Sequence, residues 1–310
     1  MAGAVAASKH PGMTQTLTHR LPFDAHAMLE YWHRDPQDAV DVVEGTTYRR
    51  VVAVNGNRAA LDVLLADGEI ALRVAAWEHT PHARDRSAVS EVASNMVGAQ
   101  VDLAAFARAV APDPTMAALE RRFHGVKVPQ TPTPFDALLW AILGQQISTA
   151  FAHALKRRLA TGFGQPLAVR GQQRLALPSP EQLAPLDPEA LATIGATRAK
   201  SRAIVLAARA VVEGTLDFEA LRTLETESLI AHLCHLRGVG RWTAEYVAMR
   251  GFARTDSLPA GDVALQRAAG LAYGARYTAP DALRSLAKRW RGWESYATFY
   301  LWRTLSKPVG

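Results

Sequence analysis

A five-residue turn with two glycines constrains the fold of this chain more than any other feature of its sequence. The turn is Leu236–Gly240 (LRGVG), and apolar residues at helical spacing lead up to it and away from it. The pattern therefore predicts a helix, a tight turn and a second helix. Glycine permits a positive φ and places no Cβ in the path of a ligand, and the first N–H groups of the second helix have no partners within that helix. Such a turn suits either an anion such as a phosphate or a plain corner between two helices.

Another helix start follows the hairpin. Arg250-Gly251 is expected to end the second helix, because a cation suits the negative end of a helix. Leu258–Asp262 (LPAGD) then precedes an amphipathic run, Val263–Leu271. Asp262 is therefore predicted to be an N-cap, and the backbone N–H groups and the helix dipole favour its ionised form. The aspartate is either a simple cap or a cap with a second, chemical task.

Composition excludes several kinds of protein. The chain has 310 residues, 49% of them hydrophobic and 21% charged, which is typical of a globular protein with two or three compact units. Its single cysteine, Cys234, excludes an internal disulfide and a cysteine-ligated zinc or iron–sulfur cluster. No apolar run approaches the roughly 20 residues that a membrane helix needs. Residues 1–13 lack the apolar core of a signal peptide and are expected to form a flexible tail.

Charge is distributed unevenly along the chain. Residues 1–130 contain 13 Lys and Arg against 15 Asp and Glu, whereas residues 131–310 contain 22 against 14. The C-terminal part is therefore basic, which favours a polyanion partner. A generally basic proteome or a solvated face would produce the same balance.

The order of predicted elements divides the chain into an α+β part and an all-α part. Residues 14–110 contain alternating runs with Asn-Gly and Asp-Gly hairpin signals, followed by helical patterns, and are expected to form an accessory domain with a small antiparallel sheet and helices. Residues 111–134 are a linker with a helix that packs on the C-terminal domain. Residues 135–252 form a helical domain with the helix-hairpin-helix, and residues 253–310 a C-terminal helical domain. Within the helical part, residues 162–178 lack a helical period and indicate a loop or a small ribbon.

Four motifs carry a resemblance to a known family. LRGVGRWTAEYVAMRG followed by LPAGDVALQRA resembles the helix-hairpin-helix and Gly/Pro-Asp signature of the DNA glycosylase superfamily, in particular the bacterial 3-methyladenine DNA glycosylase II type. WAILGQQIS upstream and WRGWESYATFYLW downstream match as well, and LPFDAHAMLEYWHR matches more loosely. The resemblance covers about Leu17 to Trp302. It implies an α+β N-terminal domain and an all-α helix-hairpin-helix glycosylase core.

The resemblance assigns roles to several residues. It implies that Asp262 is the catalytic carboxylate and that Trp242, Tyr246, Trp302 and Gln145 line the substrate pocket. By spacing alone the aromatic residues would be core. Related bifunctional enzymes have a lysine at the position of Trp242, so the resemblance implies a hydrolase without lyase activity.

Other residues are expected to contact DNA. The resemblance implies that Gln146 fills the gap left by an extruded base, with Ile147 sharing this work; both could instead belong to a helix-terminal turn. The hairpin contacts are expected from Arg237, Gly238, Val239, Gly240 and Arg241, and further phosphate contacts from Arg198, Lys200 and Arg202. Three positions depart from the pattern of the family that the chain resembles: Gln146 stands where an apolar residue is expected, Arg237 where a proline is common, and Gly261 where a second acid is expected.

The resemblance also implies partners and an activity. The backbone carbonyls of Cys234, Leu236 and Val239 match positions that hold a structural Na⁺ or K⁺, and no other cofactor is expected. The expected partner is double-stranded DNA, without a membrane or an obligate protein partner, and the expected state is a cytoplasmic, nucleoid-associated monomer. The implied activity is removal of alkylated purines such as 3-methyladenine and 7-methylguanine. The alternatives are a glycosylase for hypoxanthine, uracil or an oxidised base, and a DNA-binding protein without catalysis.

Overall fold

The N-terminal part of the chain folds into an antiparallel sheet with strand order β1-β5-β4-β3-β2. The computed structural model describes residues 14–17, 23–66, 69–275 and 278–305. The strands are β1 Thr14–Leu17, β2 Val42–Glu44, β3 Thr47–Val54, β4 Asn57–Ala66 and β5 Glu69–Trp77. Asn55 and Gly56 join β3 to β4 with φ of 51° and 76°, so the predicted tight hairpin is confirmed. The predicted Asp67-Gly68 turn and the predicted tail, residues 1–13, lie outside the described residues.

Two helices cover one face of this sheet. They are α1 (Ala25–Trp32) and α2 (Ala83–Met96), and their buried side chains share a core with the inward-facing residues of β3, β4 and β5. Trp32 stacks on Tyr48 with ring centroids 4.1 Å apart. The alternating pattern of the strands and the apolar stripes of the helices thus produce the predicted α+β unit.

The rest of the chain is helical apart from one ribbon. The helices are α3 Leu103–Val110, α4 Pro114–Arg122, α5 Pro134–Gly144, α6 Thr149–Phe163, α7 Pro180–Leu183, α8 Arg198–Val212, α9 Phe218–Arg222, α10 Thr226–Cys234, α11 Arg241–Gly251, α12 Val263–Ala272, α13 Pro280–Ala287 and α14 Glu294–Arg303, with 3₁₀ helices at Pro188–Ile194 and Lys288–Trp290. Strands β6 (Pro166–Val169) and β7 (Gln172–Leu175) form the ribbon and cover the second face of the sheet. Among the described residues, no helix is long and apolar enough to span a bilayer.

The helices surround two hydrophobic clusters, and α11 lies between them. The first cluster draws on α5 to α11, and Val247 of α11 belongs to it. The second draws on α3, α4 and α12 to α14, and Met249 of α11 belongs to it. Helix α3 joins this second cluster through Phe106 and Val110, although its sequence position groups it with the N-terminal unit. An amphipathic pattern specifies which face of a helix is buried but does not specify the partner.

Buried charges join the sheet unit to α5 and α6. Lys156 of α6 pairs with Asp38 at 2.7 Å and with Asp41. Arg50 of β3 pairs with Asp41 and reaches Asp136 of α5 at 3.0 Å. These five side chains are called the interface network below. It fixes the orientation of the accessory unit on the helical domain.

Candidate active site

The predicted hairpin joins α10 to α11. Gly238 has a φ of 86°, and a Cβ at this position would lie 2.6 Å from the Cβ of Ala203 on α8. Glycine is therefore required both by the backbone and by the close approach of α8. Gly240 is different, because a Cβ there would meet no atom within 4 Å. It is the N-cap of α11, and no side chain caps this helix end.

Arg241, the first residue of α11, is half-exposed and holds two glutamates. Its Nη2 donates to Glu227 Oε1 at 2.7 Å, and its Nε donates to Glu245 Oε1 at 2.8 Å. Glu245 is buried and also accepts from Arg284 at 2.7 Å. Burial raises the pKa of Glu245 despite both arginines. A phosphate bound at the start of α11 would compete with the exposed Glu227 for Arg241. Because exposed ion pairs are weak, the Arg241–Glu227 pair would oppose such binding only slightly.

Asp262 caps α12 as predicted and is held by neutral donors. Its Oδ1 accepts from the backbone N–H of Leu265 at 2.7 Å and from Trp302 Nε1 at 3.0 Å. Its Oδ2 accepts from Trp242 Nε1 at 3.2 Å. In the described part of the chain, the partly exposed carboxylate makes no ion pair. These contacts orient the carboxylate without cancelling its negative charge.

Two indoles contact Asp262, and the ring of Tyr246 lies between them. The centroid of Tyr246 lies 6.0 Å from that of Trp242, with 36° between the ring planes, and 6.4 Å from that of Trp302, with 40° between the planes. Tyr246 is 7% exposed, and the two indoles are partly exposed. The rings therefore form a continuous, tilted aromatic surface with Tyr246 at its base. Trp242 and Trp302 each contribute a face for stacking and an N–H for the carboxylate.

Two family models match this chain. The model of the HhH-GPD superfamily base excision DNA repair proteins matches residues 139–294, and the AlkA N-terminal domain model matches residues 14–132. The chain belongs to the HhH-GPD superfamily. A DNA-3-methyladenine glycosylase of Bacillus subtilis is 30% identical over 285 residues, which cover 91% of this chain and 94% of the relative.

Solved structures share the fold. A 3-methyladenine DNA glycosylase from Archaeoglobus fulgidus superposes with a TM-score of 0.82 at 23% identity, covering 94% of this chain and 99% of that one. A Schizosaccharomyces pombe 3-methyladenine DNA glycosylase in complex with abasic DNA gives a TM-score of 0.55 at 22% identity, covering 63% and 93%. The predicted order of an α+β unit and a helix-hairpin-helix core is confirmed.

In this HhH-GPD protein, the turn between α5 and α6 lies against the hairpin. Gln145 directs its Nε2 to the carbonyl of Gly238 and to the hydroxyl of Thr243, each at 2.9 Å. Gln146 is exposed and has a φ of 55°. A left-handed conformation costs a non-glycine residue about 1–2 kcal/mol. Gln146, which is predicted to fill the gap left by an extruded base, thus lies in a strained turn. Its neighbour Gln145 is hydrogen-bonded to the hairpin.

The other predicted DNA contacts differ in accessibility. Arg237 is exposed in the hairpin turn, whereas the Val239 side chain is 5% exposed. Ile147 is partly buried and packs against the first cluster. Only the backbone of Val239 is therefore available to a ligand, and packing limits the share that Ile147 can take in filling a gap.

The predicted phosphate contact by Lys200 is wrong. Lys200 is 7% exposed, and its Nζ donates to the carbonyl of Leu143 at 2.7 Å. Arg198 and Arg202, on the same helix, are exposed as a phosphate contact requires. The prediction failed because a run of basic residues does not show which side chain turns inward. On α8 the inward-facing side chain is Lys200, between Arg198 and Arg202.

A cluster of possible metal ligands lies beside the interface network. Asp35, Asp38 and His153 bring their ligand atoms within 4.8 Å of one another. Arg157 already pairs with Asp35, and Lys156 with Asp38 at 2.7 Å. Burial lowers the pKa of His153 to about 4, and the charges of Arg34 and Lys156 add to this effect while Asp38 and Asp35 oppose it. A further cation would meet two positive side chains, so the cluster is an ion-pair group and not a metal site.

Sequence reasoning missed how Arg250 connects the aromatic surface to the N-terminal unit. Its buried guanidinium donates to the Tyr246 hydroxyl at 3.2 Å, to the Tyr31 hydroxyl of α1, and to the carbonyl of Pro129 at 2.5 Å. The sequence indicates only a cation in the last turn of a helix. No local pattern links residues more than 200 positions apart.

Proposed function

We propose that this protein is a monofunctional DNA glycosylase that removes alkylated purines, chiefly 3-methyladenine and 7-methylguanine, from double-stranded DNA. It hydrolyses the N-glycosidic bond and leaves an abasic site for the later steps of base excision repair. The observation that carries the proposal is the Asp262 carboxylate, which two indole N–H groups orient beside an aromatic surface. The names of its relatives support the substrate class.

The negative charge of Asp262 supplies the catalysis. When the glycosidic bond breaks, the base leaves with the bonding electrons and the sugar becomes an oxocarbenium-like cation. A fixed carboxylate stabilises this cation, because neutral donors have oriented it in advance. Water then adds to C1′ and loses a proton, for which the same carboxylate is the nearest general base.

The aromatic surface favours a charged base. Alkylation at a ring nitrogen gives a purine a positive charge, and cations bind the faces of electron-rich rings. The Trp242 and Trp302 indoles offer such faces on either side of Tyr246. The positive charge also weakens the glycosidic bond, so the alkylated base leaves as a neutral molecule without a general acid.

The hairpin holds the DNA. Gly240 leaves space at the start of α11, where uncapped N–H groups and the helix dipole favour a phosphate. The carbonyls of Cys234, Leu236 and Val239 are neutral oxygen donors that would hold a monovalent cation, and such an ion would add positive charge near a bound phosphate. Gln146 fills the space left when the damaged nucleotide is extruded. Because all these parts lie on one chain, we infer a monomer that acts on nucleoid DNA in the cytoplasm.

Cleavage stops at the abasic site. A glycosylase that also cuts the strand forms a Schiff base between an amine and the sugar. Trp242 stands in the hairpin helix beside Asp262, and an indole nitrogen cannot form such a bond. Strand breaks are therefore expected only after alkali.

The test is release of base from duplex DNA that carries one lesion per molecule. Wild type is expected to produce alkali-labile sites at 3-methyladenine or 7-methylguanine, and Asp262→Asn to be slower by about 10²–10³-fold. Asp41→Asn, a carboxylate of the interface network, is the matched control, and its folded fraction should retain activity. Hypoxanthine, uracil and 8-oxoguanine duplexes complete the panel. A preference for one of these would replace the substrate class, and binding without abasic product on any duplex would contradict the proposal.

A further inference from the structure

The turn that carries Gln146 is held in an unfavourable shape. Gln146 has a φ of 55°, a region that side chains other than glycine rarely occupy, and it is exposed between α5 and α6. Residues in this region persist only where their surroundings fix the backbone. Contacts on both sides of the turn provide such fixation.

Gln145 fixes the turn from the side of the hairpin. Both contacts of its Nε2, to the Gly238 carbonyl and the Thr243 hydroxyl, are 2.9 Å long. Gly238 belongs to the hairpin turn and Thr243 to the first turn of α11. The amide thus joins the residue before Gln146 to the segment that is proposed to grip a phosphate.

Lys200 fixes the turn from the side of α8. Its side chain is buried, and its Nζ donates to the Leu143 carbonyl at 2.7 Å, in the last turn of α5. A positive charge at the C-terminal end of a helix is favourable. Burial lowers the pKa of Lys200, as expected for an amine enclosed by protein. The same α8 supplies Ala203, against which Gly238 packs, so α8 supports both the hairpin and the α5 terminus.

We propose that Gln145 and Lys200 are positioning residues that hold Gln146 in its left-handed turn, at a fixed place relative to the hairpin. When the hairpin binds a DNA phosphate, Gln146 is then placed directly at the base stack. The proposal rests on the proposed function, since it assigns a part of the extrusion step. Neither residue touches the reacting atoms.

A positioning role predicts a dependence on the DNA. A paired lesion must be separated from its partner and replaced in the base stack, and Gln146 helps to offset the free-energy cost of this step. A lesion opposite a stable abasic analogue has no partner to leave. Loss of Gln145 or Lys200 should therefore slow excision of the paired lesion and spare the unpaired one.

The experiment measures single-turnover excision of 7-methylguanine from two duplexes, with the lesion opposite cytosine or opposite an abasic analogue. The measured ratio is the excision rate opposite cytosine divided by the rate opposite the abasic analogue. Gln145→Ala and Lys200→Met are expected to lower this ratio at least tenfold, and Lys200→Arg is expected to restore most of it. Both duplexes are assayed with one preparation, so the ratio does not depend on the folded fraction. The exposed Gln172→Ala and Lys288→Met are matched controls, and they should leave the ratio unchanged.

A double-mutant cycle shows whether the effect passes through Gln146. In a Gln146→Ala background, adding Gln145→Ala or Lys200→Met should change the ratio by less than twofold, because the side chain to be positioned is gone. Full additivity, or an unchanged ratio in the single variants, would overturn the positioning role. The proposed function would survive either result, because the wild type would still excise 7-methylguanine; failure of the wild type on both duplexes would instead count against the proposed function.

Discussion

Asp262 and Asp41 are both carboxylates with three hydrogen-bond donors, but the donors differ in charge. Asp262 receives one backbone N–H and two indole N–H groups, all neutral. Asp41 receives the Tyr48 hydroxyl and the cationic side chains of Arg50 and Lys156. Burial raises the pKa of Asp41, but Arg50 and Lys156 outweigh it and hold the pKa far below its ordinary value.

The difference matches two tasks: the interface network holds the sheet unit on the helical domain, whereas Asp262 is proposed to stabilise a cation on the sugar. The charges of the interface network compensate one another, because each carboxylate pairs with a cation within the protein. At Asp262 the donors fix direction and leave the charge for a ligand. The carboxylate that we propose to be catalytic is therefore distinguished by the neutrality of its partners and not by burial alone.

The largest effect is expected from Lys156→Met, which leaves Asp38 without its cation and Asp41 with Arg50 only. Removing one partner of a buried ion pair costs about 3–5 kcal/mol of stability, and the remaining arginine places this case near 3 kcal/mol. The measurement is urea unfolding at pH 7, with the exposed Lys288→Met as control. The rate of base excision per folded molecule should stay within twofold of wild type. A large fall in that rate would contradict the claim that the interface network contributes to stability and not to catalysis.

Trp302→Phe sharpens the comparison at the pocket. Phenylalanine keeps a ring for stacking but removes the N–H that holds Asp262 Oδ1 at 3.0 Å. A hydrogen bond to a charged group contributes about 1.5–3 kcal/mol, so single-turnover excision should slow about tenfold. Trp293→Phe, at the N-cap of the same helix and packed against Phe106 and Tyr296, should leave the rate unchanged. Equal rates for wild type and Trp302→Phe would show that the indole N–H does not position the carboxylate.

Glu294 extends the comparison to a carboxylate for which burial outweighs the nearby donors and the charge of Arg291. Its Oε2 is buried without a hydrogen-bond partner, and burial raises the pKa of Glu294 to about 7 from 4.5. Because the folded-state pKa is raised, the stability it contributes is present below pH 4.5 and is lost as the pH rises through 7. Glu294→Gln should therefore stabilise the protein by about 1 kcal/mol at pH 8 and have no effect at pH 4. Thermal unfolding at the two pH values measures this, and a stabilisation that is equal at both would rule out the titration.

Local signals in the sequence were sufficient for much of the fold. Asn55-Gly56 predicts a hairpin because both residues accept a positive φ, and Asp262 predicts a cap because its carboxylate reaches the N–H three residues on. The two-glycine turn predicts the helix-hairpin-helix for the same kind of reason. Each of these depends on contacts within a few residues.

Contacts between distant segments could not be predicted from such local signals. Gln145 was predicted to line the substrate pocket, but the sequence did not indicate that its amide contacts the hairpin, 93 and 98 residues further along. Lys200 was expected at a phosphate and lies 57 residues from its partner, Leu143. Composition and periodicity specify which residues are polar or buried, but only the packed tertiary structure determines which polar atom meets which.

The charge of Asp262 is tested most directly by binding, without any bond cleavage. Two duplexes with the same sequence carry either a pyrrolidine abasic analogue, whose ring nitrogen is positive, or the neutral tetrahydrofuran analogue. Wild type should bind the cationic duplex at least 100-fold more tightly, and Asp262→Asn should bind both within a few-fold of each other. Equal Kd values for the wild type, or a preference that survives in Asp262→Asn, would contradict the claim that this carboxylate stabilises the developing sugar cation.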